Sequence, residues 1–141
     1  MTMANLNLYL NFKGNTEDAF NFYKSVFGGE FSSLERYKNM PESDKLSVDE
    51  QNKIMHISLP VGKNITLMGT DLIESMGQKL VIGNNCSIMI DAESKEEADN
   101  LFEKLSAGGK VEMSMQDTFW NAYFGSFTDR FGVQWMVNYS Y

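Results

Sequence analysis

The sequence predicts an α+β fold of two tandem βαβββ modules. Three features carry that expectation: an alternating first strand, a helical spacing that occurs twice, and a glycine pair closing each helix. In the first stretch, Leu6, Leu8, Leu10 and Phe12 share one face and Asn5, Asn7, Tyr9 and Asn11 the other, the period of a half-buried strand. A helix is expected from Asn15 or Thr16, because Ala19, Phe22, Tyr23 and Val26 form one apolar stripe, and Gly28-Gly29 ends it. Strands at about 30–37, 53–61 and 65–70 complete the unit, the last two joined by Gly62-Lys63-Asn64.

The same grammar returns from residue 85. Residues 85–90 (NCSIMI) read as a strand, and Ser94 with Glu97 reads as a capping box. The helix it opens carries Ala98, Leu101, Phe102 and Leu105, which align with Ala19, Phe22, Tyr23 and Val26 until one residue is added before Gly108-Gly109. That is an internal repeat. Strands at about 110–115, 121–128 and 133–139 complete it. The modules are thus expected at about 5–70 and 85–139, with 71–84 as a connector and 37–52 as a solvated loop.

Composition limits the functions to be considered. A net charge of −7 disfavours nucleic acid and anionic membrane surfaces as partners. The chain's single cysteine, Cys86, forms no internal disulfide, and the opening MTMANLNLYL lacks a basic start and a continuous apolar stretch, so the expected location is the cytoplasm. Strand parity places Cys86 toward the helix, as a small buried hydrophobe.

The segments LYLNFKGNTEDAFNFYKSVFGGEF at 8–31, IMHISLPVGKNITLMGTD at 54–71 and GGKVEMSMQDTFWNAYFGSFTDRFGVQWMVNY at 108–139 resemble the vicinal oxygen chelate superfamily. That superfamily includes glyoxalases, bleomycin-resistance proteins and extradiol dioxygenases. Within it the chain is similar to the PhnB-like branch, some of whose members carry a demethylubiquinone methyltransferase label. The resemblance implies one domain over residues 1–141, an eight-stranded cup with helices outside, and a homodimer.

In metal-using relatives the first and last strands of each module supply the ligands. Carried over by strand register, those places hold Asn7 and Met68 in the first module and Asn85 and Met136 in the second. Neutral amides and thioethers suit Zn, Fe, Mn or Ni poorly, so the expectation is no metal and no cofactor.

The lone histidine, His56, and Tyr9 fall by parity on the cup-lining side, with Phe124 in the place matching His56 and Trp120 beside it. The candidate ligand-binding set is therefore Asn7, Tyr9, His56, Met68, Asn85, Trp120, Phe124 and Met136, with no catalytic residue assigned. These residues suit a small organic ligand. Two rival functions remain open. One is a glyoxalase-like lyase, isomerase or other enzyme pairing His56 with a carboxylate such as Asp71, Glu74 or Asp117. The other is a protein-interaction scaffold.

Overall fold

The structure, a computed structural model, describes residues 4–141, so the first three residues of the segment read above for a leader lie outside the described residues. It divides into two compact units, one running to Val81 and the other spanning Ile82–Tyr141. The first unit contains β1 (Leu8–Phe12), α1 (Thr16–Phe27), β2 (Ser33–Arg36), the short α2 (Val48–Gln51), β3 (Ile54–Val61) and β4 (Ile65–Asp71). The second contains β5 (Ile88–Asp91), α3 (Lys95–Ser106), β6 (Lys110–Asp117), β7 (Ala122–Thr128) and β8 (Gln134–Ser140).

Each unit builds one open four-stranded mixed sheet, in the orders β1-β4-β3-β2 and β5-β8-β7-β6. In each, the first strand runs parallel to the last and the remaining neighbours are antiparallel. The doubled βαβββ expectation holds at the level of topology.

Alternation decides which face each helix covers. Phe12, Ile57, Leu59 and Leu67 are buried with Ala19, Phe20 and Tyr23 of α1, so the helix meets the apolar face of the sheet along Thr16, Ala19, Phe20 and Tyr23, while Phe22 and Val26 of the expected stripe are only half-buried. The approach is closest at Gly69, where an added Cβ would stand 2.5 Å from the Phe20 ring. The second unit repeats the device with other residues: Ala98 and Leu105 of α3 are buried, and a Cβ at Gly125 would stand 2.8 Å from Phe102.

The polar anchor of the first unit is Asp71. Its Oδ1 accepts from the Gly14 and Thr16 N–H groups at 2.8 and 3.1 Å and from the Thr16 hydroxyl at 2.6 Å, while Oδ2 accepts from the Ile54 N–H at 2.9 Å. Asn15, the residue before α1, makes no side-chain cap. A carboxylate from the end of β4 satisfies the first turn instead, where the helix dipole favours negative charge. In contrast, α3 is capped locally: the Ser94 hydroxyl accepts from the Glu97 N–H, and the Glu97 carboxylate reaches the Glu93 N–H, one residue earlier than a capping box requires.

Several boundaries differ from the sequence reading. Leu6 is exposed ahead of β1, so the alternation runs past the paired strand. β2 stops at Arg36 because Tyr37 turns inward, where its hydroxyl donates to the Asp71 carbonyl at 2.8 Å. The 37–52 loop holds two 3-10 turns and α2, which opens on a Ser47/Glu50 capping box. β5 begins at Ile88 instead of residue 85. In the orientation that satisfies both its ends, the Gln134 amide donates to the Asn84 and Cys86 carbonyls at 3.2 and 3.0 Å, and so takes groups that a longer ladder would use. Asn85 consequently lies in a bend, and Cys86 is exposed where burial was expected.

Asp71→Asn is expected to destabilise the protein by about 2–3 kcal/mol, because the amide must set an N–H against either Ile54 N–H or the Gly14 and Thr16 donors. Urea unfolding checks this, with exposed Glu30→Gln expected to change stability by less than about 0.5 kcal/mol. Gly69→Ala should cost roughly 1–3 kcal/mol by forcing Phe20 off the sheet, measured by the same unfolding curve.

Candidate functional site

Two residues that face the same way on β3 begin the site. His56 and Ser58 stand at i and i+2, and the His56 Nε2 lies 2.8 Å from the Ser58 hydroxyl. From β1, the Tyr9 hydroxyl reaches the other ring nitrogen, Nδ1, at 3.2 Å. The Tyr9 and His56 rings are 5.7 Å apart and tilted by 36°.

Strand register explains the gathering. Tyr9 pairs with Met68 across β1 and β4, and Met68 pairs with Ser58 across β4 and β3. These side chains therefore lie together on the face opposite α1. Thr70 joins them, its hydroxyl donating to the Met55 carbonyl at 2.7 Å. Ser58 is buried, His56 and Met68 are half-buried, and Tyr9 is 49% exposed, which makes Tyr9 the solvent end of a hydroxyl–imidazole–hydroxyl chain.

Both imidazole nitrogens thus have a hydroxyl partner. A hydroxyl both donates and accepts, so either neutral tautomer of His56 is accommodated. Burial pushes the Tyr9 phenol up from its ordinary value, the Tyr37 phenol adds to that, and the Thr70 hydroxyl partly offsets it. Tyr9 consequently stays a neutral donor and acceptor at neutral pH.

The carboxylates suggested as partners of His56 are engaged elsewhere. Asp71 points to the helix side and holds the α1 turn. Glu74 is exposed and pairs with Lys13 at 2.5 Å. Asp117 belongs to the second unit, where it accepts from Tyr141.

The second unit presents a related face with less polar chemistry. Met89 pairs with Met136, Met136 with Ser126, and Phe124 with Asn138. Trp120, in the turn before β7, stands 6.0 Å from the Phe124 ring and is 52% exposed. The ladders equate Phe124 with His56, since each lies two residues before the serine opposite the last-strand methionine.

Of the candidate residues, Tyr9, His56 and Met68 are brought together in the first unit, and Phe124 and Met136 share a face in the second. Asn7 and Asn85 are not in their strands. Asn7 precedes β1 and lines an open concavity of about 360 Å³ with Met68, Thr66 and Lys63. Asn85 precedes β5 by three residues. The sequence reading missed Ser58 as the histidine's partner, although the i, i+2 spacing on one strand face carries that signal.

A metal of the kind used by vicinal oxygen chelate enzymes does not fit these residues. The side chain opposite Met68 is Tyr9, and the one opposite Met136 is Met89. Thioethers and a neutral phenol are poor donors for a divalent ion of the Zn, Fe or Mn type. Among the described residues, no three His, Cys, Asp or Glu side chains form a group able to hold a metal.

Comparison with known proteins matches this geometry. Protein PA1353 from Pseudomonas aeruginosa superposes with a TM-score of 0.85 at 39% identity, covering 98% of both chains. The PhnB protein from Bacillus cereus superposes at 0.79 with 25% identity, over 97% of this chain and all of that one. A glyoxalase/bleomycin resistance protein/dioxygenase family enzyme from Burkholderia phytofirmans PsJN shares the fold, with a TM-score of 0.66 at 16% identity over 98% and 100% of the two chains. The architecture is therefore that of the vicinal oxygen chelate proteins.

The 3-demethylubiquinone-9 3-methyltransferase family model matches residues 4–138, and Escherichia coli (strain K12) YjdN is 32% identical over 137 residues, 94% of this chain and 93% of that one. The chain belongs to that PhnB-like family.

The upward shift of Tyr9 has a testable sign. A phenol whose folded-state value is raised adds stability that is whole below its ordinary value of 10.0 and is lost as pH climbs through the folded-state value. Tyr9→Phe should therefore flatten the decline of stability above about pH 10 and remove one late-ionising tyrosine from the ultraviolet titration. Loss of amplitude near pH 10, with the late-ionising part of the curve unchanged, would show instead that Tyr9 ionises as a free phenol does.

Proposed function

We propose that this protein is a cytoplasmic homodimer that binds a small organic molecule without a bound metal. The ligand face in this reading is the one carrying Tyr9, His56, Ser58 and Met68. The observation that supports it most is the chain Tyr9–His56–Ser58: an exposed phenol leads to an imidazole whose two nitrogens have hydroxyl partners at 3.2 and 2.8 Å. Such a face offers a ring to stack on, a thioether to pack against, and a donor–acceptor pair whose polarity adapts to the ligand. Among the described residues, no helix is long and apolar enough to cross a membrane.

Large apolar side chains left exposed on the second unit, Phe119 at 97% and Val111 at 45% among them, support association between copies. The family's name describes a methyl transfer. This chain's mixed sheets differ from the parallel sheets and glycine-rich strand-to-helix loops of common cofactor-binding methyltransferases, so we keep the name with the family.

A second reading is supported by the same chain of groups. Because either tautomer of His56 is accommodated, Tyr9 can take a proton from a ligand as it passes its own to the His56 Nδ1, leaving an imidazolium that holds the proton while its Nε2–H donates to the Ser58 hydroxyl. That is the requirement for acid–base isomerase or lyase chemistry at the phenol.

Native mass spectrometry of gently purified protein should report a dimer carrying a non-covalent organic adduct that His56→Ala and Met68→Ala reduce. Stoichiometric transition metal surviving dialysis would overturn the metal-free reading. For the second reading, any turnover found should fall at least about 100-fold in Tyr9→Phe and His56→Ala; full activity in both would remove it.

A further inference from the structure

The ligand face continues past Met68 into a concavity with a chemistry of its own. Met68 and Thr66 of β4 form part of it, the Gly62-Lys63-Asn64 hairpin forms its rim, and Asn5 and Asn7 close the side ahead of β1. Its volume is about 360 Å³, within the range of small-molecule sites.

The polar side chains around it are of one character. Three amides and one hydroxyl can donate hydrogen bonds, Lys63 supplies a positive charge, and neither Asp nor Glu lines the space. In a chain of net charge −7, a concavity with a cation and no carboxylate is locally set apart from the field around it. Among the described residues Lys63 makes no ion pair, so its charge is open to a ligand. Pro60 and Ile65 add apolar wall.

We propose that this concavity binds the compact oxyanion of an organic acid, a carboxylate or a phosphate monoester, and that the carbon body lies over Met68 toward Tyr9. Lys63 provides the charge. The amides of Asn5, Asn7 and Asn64 and the Thr66 hydroxyl provide the donors, as oxyanion recognition requires. Met68 is shared: it lines the concavity and is the ladder partner of Tyr9. The inference rests on the reading of the Tyr9–His56 face as the ligand face, and it adds the ligand's class.

The test is an amide NMR titration of the full chain with inorganic phosphate and, separately, with acetate, both against sodium chloride at matched ionic strength. Saturable shifts at Gly62, Lys63 and Asn64 and in the Asn5 and Asn7 side-chain amides are expected. Lys63→Met should weaken binding about fivefold or more while Lys63→Arg retains it, and preference for one anion identifies the head group.

Shifts that chloride reproduces, or an affinity that Lys63→Met leaves unchanged, would overturn the proposal. A phenol titration separates the two readings. Shifts at Tyr9 and His56 with no anion response at the hairpin would remove the oxyanion site and leave the ligand face standing. Anion response at the hairpin with no phenol response would do the reverse.

Discussion

The first unit depends on one buried carboxylate. Asp71 ends β4, and its two oxygens take donors from the β1–α1 turn, from Thr16 and from the start of β3. Its own carbonyl takes the Tyr37 hydroxyl. The elements that carry the candidate site are thereby tied at one point. Because side chains alternate along a strand, fixing Asp71 toward the helix fixes Thr70 and Met68 toward the other face. A slip of one residue would send Met68 into the core and Leu67 out, and the four donors around Asp71 oppose that slip.

The second unit reaches the same topology with a different lock. Asp129, in the β7–β8 turn, accepts from the Phe131 and Val133 N–H groups and from the Trp135 indole at 2.8 Å. Here the carboxylate joins a turn to the core tryptophan of the last strand, and α3 is left to its own Ser94 cap. Repeats that share a chain path therefore need not share the polar contacts that hold it. Topology follows from the spacing of apolar residues, whereas each lock is a local solution for burying backbone donors.

This difference explains what was legible in the sequence. Apolar periodicity gave the two long helices, though not the short α2, and all eight strands in order with the sheet face on which Tyr9, His56 and Met68 meet. It gave the matched places of His56 and Phe124 as well. It did not give strand ends, since those are set by side chains reaching across the fold: Tyr37 turning in to Asp71, and Gln134 taking the carbonyls of Asn84 and Cys86. The placement of Asn85 within a strand failed for that reason, as did the burial of Cys86, while Asn7 lies one residue ahead of β1, where the alternation outruns the ladder. Asp71 was offered as a partner for His56 because sequence shows its charge and not its four donors.

Comparison of the two units also locates the polar chemistry. Each last strand places a methionine opposite a serine, Met68 with Ser58 and Met136 with Ser126. The positions beside that pair then diverge: Tyr9 and His56 in one unit are Met89 and Phe124 in the other. A phenol and an imidazole form a chain with Ser58, while a thioether and a benzyl ring leave Ser126 without such partners on those two positions. Substituting an aromatic ring for the imidazole preserves bulk and removes both nitrogens, so a packing role alone would be met equally well by either. A hydroxyl stands beside each nitrogen of His56, and that arrangement is confined to the first unit.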